Sequence, residues 1–264
     1  GHGGAPAAPG LPPDSDDTAA VLTALLRHGR GQSPQVLLDY RADGYFRCFQ
    51  DERNPSITAN AHVLEALALH LHRQPELGPR LAAPARMAAA WLVEQQLPDG
   101  SWQDKWHASP YYASWCCVLA LSLHHPAAAG PAIDQATDRA VAWARATQRP
   151  DGSWGRWQGT VEETTYAVQL LARAAPNAAG AAIARGRGYL ADPPPMAEQP
   201  PLWHAKDLYL PTAVVRAARL AALGPAIRFA TAGAAAAPAY ASAAAPAPPA
   251  APSTASRAAA GGTG

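Results

Sequence analysis

Three aspartates crowd one short segment near the start of the chain. Asp14, Asp16 and Asp17 surround Ser15 in the run Pro-Pro-Asp-Ser-Asp-Asp-Thr, and apolar sequence of helical character follows. Carboxylates this close repel one another, so at least one should keep its proton more readily than an isolated aspartate. A protonated carboxylic acid that faces an apolar cavity is a Brønsted acid. We therefore expect this tetrad to be able to protonate a group as unreactive as an alkene.

Helix capping and a phosphatase-like site are the two alternatives to a catalytic tetrad. Asp and Ser ahead of a helix are common N-caps, and carboxylates are favoured at the positive end of the helix dipole. One aspartate would suffice for capping, so a supporting role and a capping role both stay open for Asp14 and Asp17. The pattern Asp-x-Asp-x-Thr also suits a phosphatase-like site, but that motif needs an apolar strand before it. Gly-Leu-Pro-Pro precedes it here, so we reject the phosphatase interpretation.

An internal repeat indicates the elements that must position these residues. The segments Gln96–Trp102 and Gln148–Trp154 share the pattern Gln-x-Pro-Asp-Gly-Ser-Trp at a spacing of 52 residues. Pro-Asp-Gly is a turn signal, apolar helical sequence flanks it on both sides, and no alternating strand pattern is visible. We predict an all-α fold, an incomplete α/α-barrel (toroid) of repeated antiparallel helix pairs. The Gln and Trp side chains are expected to brace one pair against the next.

The predicted helices number eight. They cover residues 17–28, 56–72, 84–96, 110–124, 133–147, 162–175, 180–191 and 209–223. We expect a disordered leader over 1–11, a partial barrel domain over 12–223 and a disordered Ala/Pro-rich tail over 224–264.

The bulk composition excludes several classes of protein. Lys and Arg total 21 and Asp and Glu total 20, a net charge of +1 that gives no basic field for nucleic acid. No apolar stretch approaches the ~18 residues that a transmembrane helix needs. The three cysteines are an odd number and fit a reduced, cytoplasmic setting.

The motifs together resemble those of terpene cyclases. The repeat is similar to the QW motif of squalene–hopene type cyclases, and Asp14-Ser-Asp-Asp17 resembles the DxDD motif of class II terpene cyclases. Segments 12–20, 52–66, 104–113 and 206–211 resemble bacterial class II diterpene cyclases of the copalyl or halimadienyl diphosphate synthase type. The resemblance covers about 12–223 and implies the later part of the β domain, whose active site faces a γ domain that we expect to be missing.

The resemblance implies an activity and a role for each aspartate. The reaction would be protonation-initiated cyclisation of geranylgeranyl diphosphate to a bicyclic diterpenyl diphosphate, with the diphosphate retained. Asp16 would be the general acid, held and tuned by Asp14 and Asp17. Mg²⁺ is the implied cofactor, with ligands in the missing N-terminal portion, so we expect no metal ligand in this chain. The implied partners are a prenyl diphosphate substrate and a downstream class I terpene synthase.

Asn60 is a candidate partner of the acid. It shares a face of the predicted helix 56–72 with Val63, Leu64 and Leu67, where a polar amide needs a hydrogen bond. The resemblance favours the catalytic aspartate as its partner, and a structural hydrogen bond is the alternative. His62 lies on a different face and is expected to be partly exposed.

A further group of candidates follows each copy of the repeat. After the first copy come five side chains suited to a prenyl diphosphate: Lys105, Trp106, His107, Tyr111 and Tyr112. The tryptophan and the two tyrosines could offer π faces to a carbocation. The lysine could bind the diphosphate, and the histidine could hold a water molecule that acts as the base. An ordinary aromatic core with a solvated lysine is the alternative. Trp157, Glu162 and Glu163 occupy the corresponding place after the second copy.

Three other functions stay open. A triterpene cyclase acting on squalene shares both motifs but normally has more repeats and an apolar membrane-docking patch. A protein prenyltransferase β subunit shares the α/α barrel but needs zinc, for which the Cys116-Cys117 pair offers no clear site. The non-enzyme alternative is an inactive helical toroid that acts as a binding module.

Overall fold

The computed structural model describes residues 4–124, 130–205 and 207–224 of the chain. These residues form eight α-helices, joined by loops and short 3-10 turns, so every predicted helix is present. The helices are α1 (Ser15–Arg27), α2 (Ile57–Arg73), α3 (Gly78–Glu94), α4 (Pro110–His124), α5 (Pro131–Ala146), α6 (Val161–Ala174), α7 (Gly180–Ala191) and α8 (Thr212–Leu223). The largest boundary difference is at α3, which begins well before residue 84 and accommodates Pro84 in its interior.

The helices pack in two layers. The inner helices α1, α2, α4, α6 and α8 contact one another in that order. The outer helices α3, α5 and α7 each pack on the two inner helices that flank them in the chain. In α4, 11 of 15 residues are buried and no polar stripe remains. This burial follows from its position, because α4 packs between the inner helices α2 and α6 and is covered by outer helices.

Local sequence determines where the inner helices begin. The Asp14 carboxylate accepts a hydrogen bond from the backbone amide of Asp17 at 2.8 Å, and so caps α1. Ser56 caps α2 through the amide of residue 59 at 3.1 Å, and Thr160 caps α6 through the amide of Glu163 at 3.0 Å. Each side-chain oxygen satisfies a backbone donor that has no partner within its helix.

The two repeat motifs tie each helix pair to the next. Gln96 Nε2 donates to the carbonyl of Gly100 in its own turn and to that of Ala136 in α5, both at 2.8 Å. Trp102 Nε1 donates to the Leu92 carbonyl at 2.7 Å. The second motif repeats these three bonds at 2.6–2.9 Å and reaches α7. The predicted bracing role is confirmed.

Glycine is required in the turn of each motif. Gly100 and Gly152 have φ angles of 95° and 88°, which other residues rarely adopt. A Cβ atom at these positions would also lie 2.6 and 2.7 Å from the carbonyl oxygens of Arg139 and Arg185 on the next outer helix. The turns therefore pack directly against backbone.

A two-stranded hairpin and short 3-10 helices, the longest at Pro34–Tyr40, were not predicted. Strands β1 (Trp203–His204) and β2 (Leu208–Tyr209) form an antiparallel hairpin, and α8 begins three residues later than the predicted helix. Two residues per strand are too few for an alternating pattern to be visible in the sequence. The amide of His204 donates to the carbonyl of Trp106 at 2.9 Å, which docks the hairpin beside the start of α4.

The ends of the chain add two observations. The predicted tail lies outside the described residues except for Gly224. Within the predicted leader, the amide of Ala5 donates to Thr18 Oγ1 at 2.9 Å. Across the described residues, no helix has both the length and the apolar character needed to cross a membrane.

Candidate active site

Asp16 and His62 form a close pair at the N-terminal rim of the inner helices. The Oδ1 atom of Asp16 on α1 lies 2.5 Å from Nδ1 of His62 on α2. The other ring nitrogen of His62 lies 3.4 Å from the hydroxyl of Tyr112 and 3.5 Å from Sγ of Cys116, both on α4. The side chain of Asp16 remains 33% exposed, so it can be reached from the rim.

The pair favours a protonated histidine. Burial disfavours the imidazolium ion, but the charge of Asp16 and the hydrogen bond to it outweigh this effect, with a further contribution from Cys116. The pKa of His62 is therefore held well above its usual value. A histidine that donates to one oxygen of Asp16 stabilises the carboxylate that remains once Asp16 has given up a proton.

Asp14 adds a proton to this cluster. It is buried, and burial raises the pKa of Asp14 to about 7, although its hydrogen bond from the Asp17 amide opposes the change. The Asp17 and Asp16 carboxylates act in the same direction as burial. Asp14 thus retains a proton up to near neutral pH, with burial rather than the charges of its neighbours as the larger cause.

The structure places Asn60 away from Asp16. Its amide oxygen accepts from the backbone N–H of Phe46 at 2.7 Å, and its amide nitrogen donates to the carbonyls of Phe46 and Ser56, each at 2.8 Å. The residue that bonds to Asp16, the role expected of Asn60, is His62. Residues 60 and 62 are about 200° apart around a helix, so only one of them can face α1 from a given side. The spacing in the sequence shows that Asn60 and His62 lie on different faces of the helix. Which of the two faces is turned toward α1 depends on how α1 packs on α2.

Four aromatic side chains extend the site along the rim. This aromatic row consists of His107, Tyr112, Tyr166 and Trp203. The Tyr112 ring is central, with centroids 4.8 Å from Trp203, 5.0 Å from Tyr166 and 5.3 Å from His107. Sequence reasoning missed Tyr166 and Trp203. Tyr166 is on the inner helix that follows the second repeat, whereas nothing local marks Trp203, because the hairpin brings it here.

The other candidates after the first repeat have different surroundings. Tyr111 is buried in the core against Trp143, with ring centroids 4.7 Å apart, and so lies away from Asp16. Lys105 is bonded to the Glu52 carboxylate and to the carbonyl of Asn54, and its ammonium lies 5.1 Å above the ring of Trp106. The expected diphosphate-binding lysine is therefore already engaged by an acidic side chain.

Within the aromatic row, His107 forms a second buried pair with Glu162. Glu162 Oε1 accepts from Trp203 Nε1 at 2.6 Å and lies 3.2 Å from Nε2 of His107. Both side chains of the pair are almost fully buried, at 2% and 1% exposure. Glu163 beside them has a structural role, because its oxygens accept from Ser109, from Thr160 and from the amide of residue 156.

The remaining candidates contribute little to this rim. Trp157 is 62% exposed and lies under the guanidinium of Arg156. Among the described residues, no group of three or more His, Cys, Asp or Glu side chains is placed to hold a metal ion. The described part of the chain thus offers no fit for the Mg²⁺ that the resemblance implies. A cavity of about 750 Å³ lies at the opposite ends of α2 and α4, away from Asp16.

Comparison with known proteins identifies related cyclases. The profile of the squalene-hopene cyclase C-terminal domain matches residues 46–191. The ent-copalyl diphosphate synthase of Streptomyces sp. (strain KO-3988) is 48% identical over 235 residues, which are 88% of this chain and 45% of that protein. The labda-7,13-dienyl diphosphate synthase of Streptomyces clavuligerus is 42% identical over 84% of this chain and 40% of its own length.

A solved structure supports the fold. The ent-copalyl diphosphate synthase from Streptomyces platensis superposes with a TM-score of 0.80 at 56% identity, over 84% of this chain and 43% of that one. The predicted α/α-barrel fold is confirmed. The chain spans less than half the length of these relatives. Since the matched profile covers more than half of the residues, this chain belongs to the squalene-hopene cyclase C-terminal domain family.

Proposed function

We propose that this chain carries the proton-donating part of a class II diterpene cyclase. The observation that carries the proposal is the 2.5 Å pair between Asp16 and His62, which opens on a row of aromatic rings. Its substrate would be geranylgeranyl diphosphate and its product a bicyclic diterpenyl diphosphate. The names of the relatives, which are copalyl and labdadienyl diphosphate synthases, support a diterpenyl rather than a triterpenyl product.

Asp16 acts as the general acid in this proposal. His62 donates to Oδ1, so the transferable proton is on the other carboxyl oxygen. That proton bonds to the less substituted carbon of the substrate's last alkene, and a tertiary cation remains on the carbon that bears the two methyl groups. The π electrons of the neighbouring alkenes then close two rings, and loss of a proton to a base ends the reaction. The diphosphate does not react.

Three side chains support the acid. His62 stabilises the carboxylate that forms on Asp16 as the proton leaves, while Asp14 holds the first turn of α1 through the amide of Asp17. Tyr112 contacts His62 and presents its ring to the cation. Asn60 anchors the Phe46 backbone instead, and so positions the loop that precedes α2.

Other parts of the proposal rest on the family alone. Mg²⁺ and a downstream class I terpene synthase stay predictions, and no step described here passes through a metal. A reduced, cytoplasmic setting is likewise a prediction.

Turnover of geranylgeranyl diphosphate tests the assignment. The full-length protein that carries this sequence is incubated with the substrate, and the dephosphorylated product is identified by gas chromatography and mass spectrometry. We expect Asp16→Asn to lower turnover by about 10²–10⁴-fold, because the acid is lost while the side-chain shape is kept. The exposed Asp51 offers a matched control, and Asp51→Asn should leave turnover unchanged.

The same assay separates the alternatives. Equal turnover by the unmodified protein and Asp16→Asn would refute the role of Asp16. Conversion of squalene but not of geranylgeranyl diphosphate would identify a triterpene cyclase. Binding of the diphosphate substrate without any turnover would favour a binding module.

A further inference from the structure

Glu162 is a buried acidic residue, and stabilisation of the fold does not explain why it is there. It is the second residue of α6 and 2% exposed. Its Oε1 atom is held by Trp203 and His107. Its Oε2 atom is buried and has no hydrogen-bond partner among the residues that the structure describes. A buried carboxylate oxygen without a donor is costly, so its retention indicates a function.

The neighbouring Glu163 shows what a structural acid looks like at this point of the fold. Glu163 forms the capping box with Thr160, and each of its oxygens accepts at least one hydrogen bond. The start of α6 is therefore already stabilised without Glu162. Capping cannot be the reason for a second buried carboxylate.

The hydrogen bonds of Glu162 hold its charge in a defined place. A carboxylate oxygen can only accept, so both Trp203 Nε1 and His107 Nε2 carry the hydrogen of these bonds. The donors come from different elements, β1 and the loop before α4. Both donors belong to the aromatic row and fix the carboxylate against it, and contacts run from Trp203 through Tyr112 to His62 of the acid pair.

The negative charge of Glu162 affects the aromatic row at Tyr166. Burial is the main cause of a raised pKa at Tyr166, and the negative charge of Glu162 is the next. An electrostatic field that opposes a phenolate at Tyr166 favours a cation at the same place. In a site shielded from water, such a fixed charge acts more strongly than in solution.

We propose that Glu162 is a positioning residue that places a fixed negative charge against the aromatic row and stabilises the carbocation at the end of that row remote from Asp16. The inference rests on the proposed function, since it assumes a cationic intermediate. The π faces of Tyr112 and Trp203 would contact the cation, and Glu162 would act through them. The same residue determines how far cyclisation proceeds before the proton is lost.

Charge-specific variants test this role in the full-length protein. Glu162→Gln keeps an oxygen that can accept from Trp203 and removes the charge, whereas Glu162→Asp keeps the charge. We expect Glu162→Gln to lower kcat by about 10- to 100-fold with KM nearly unchanged, and to release monocyclic or hydroxylated products. Glu162→Asp should restore most of kcat and the bicyclic product. Unmodified kcat and products in Glu162→Gln, or equal defects in both variants, would overturn the proposal.

A binding experiment keeps the proposal falsifiable without turnover. The probes are two substrate analogues, one with a tertiary ammonium in place of the last cationic carbon and one with an uncharged carbon there. In the Asp16→Asn protein, the ammonium analogue should bind roughly 10- to 30-fold more tightly by calorimetry, and Glu162→Gln should abolish that preference. Equal affinities before Glu162 is changed would refute the inference, whether or not Glu162→Gln folds.

The two proposals fail in different ways. Absence of turnover by the unmodified protein would count against the cyclase assignment. Normal turnover that depends on Asp16 but not on Glu162 would leave the cyclase assignment intact and refute only the role of Glu162.

Discussion

At the scale of single residues, the acid has two opposing requirements. Asp16 must hold a proton until an alkene arrives and must then release it to a very weak base. The crowding of three carboxyl groups favours the first requirement, because a neighbouring carboxylate opposes further negative charge. His62 favours the second, since its hydrogen bond stabilises the carboxylate. Both neighbours are therefore needed for one function.

Replacing His62 should affect catalysis more than folding. We expect His62→Phe to lower kcat by about 10²-fold or more with little change in KM, because the donor to Asp16 is lost. Asn60→Ala provides the comparison, since it leaves the Phe46 N–H and carbonyl without partners and should lower the free energy of unfolding by about 1–3 kcal/mol. Steady-state kinetics and urea denaturation distinguish the two. A larger kinetic defect in Asn60→Ala than in His62→Phe, at equal folded fraction, would contradict this assignment.

Asp14 should make stability depend on pH. Its pKa is about 7 in the folded chain and 3.8 as the ordinary value, so the folded state binds more protons between these limits. The free energy of unfolding should therefore fall as pH rises from about 4 to 7. His62, whose pKa is also raised, adds a loss in the same direction above about 6.5.

The measurement is urea denaturation at pH 4.5, 6.0 and 7.5. Asp14→Asn keeps an oxygen for the Asp17 amide and cannot titrate, so its stability should fall less steeply over this range. Parallel slopes in the two proteins would show that another group is responsible.

The residues of the site show where sequence reasoning stops. Asp16 was singled out by the resemblance of the tetrad to the DxDD motif, and its role as the acid stays a prediction. The choice between Asn60 and His62, or between Tyr111 and Tyr112, was not predictable, because neighbouring residues on a helix differ only in the face that tertiary packing assigns to them. Tyr111 packs in the core against Trp143, whereas Tyr112 faces the rim.

At the scale of elements, the glycines in the repeat turns contribute to the free energy of unfolding, because they allow the turns to pack against the next outer helix. Gly152→Ala should lower the free energy of unfolding by about 1–3 kcal/mol, because its φ is positive and its Cβ would meet the Arg185 carbonyl. Gly188, exposed in the interior of α7 with open space around its Cα, is the matched control. Gly188→Ala should stabilise by about 0.5–1 kcal/mol. Thermal unfolding of both variants checks the contrast, and equal effects would refute it.

The helices were predictable and the hairpin was not, for a physical reason. Caps, turn signals and apolar periodicity are local, and each inner helix has at least one of them. The hairpin owes its place to backbone bonds with the loop before α4, such as that between His204 and Trp106, which join parts of the chain about 100 residues apart. No local pattern records such a contact.

At the scale of the whole molecule, burial is unevenly distributed along the wall of helices. α2 and α4 each have 11 buried residues and α6 has ten, whereas α8 buries only Val215 and Ala222. We therefore expect backbone amides of α2, α4 and α6 to exchange with deuterium most slowly, and those of α8 fastest among the inner helices. Hydrogen exchange followed by mass spectrometry measures this, and uniform protection from α1 to α8 would contradict it.

The 52-residue spacing has a consequence for how such a chain can change length. Gln96 and Gln148 each bond to a carbonyl of the following outer helix, so every link joins a helix pair only to its successor. A duplication or deletion of one complete unit would regenerate the same junctions at both of its ends. An insertion of one or two residues between Gln and Trp would instead displace a turn that fits directly against backbone. The length of this wall is thus expected to change in whole repeats.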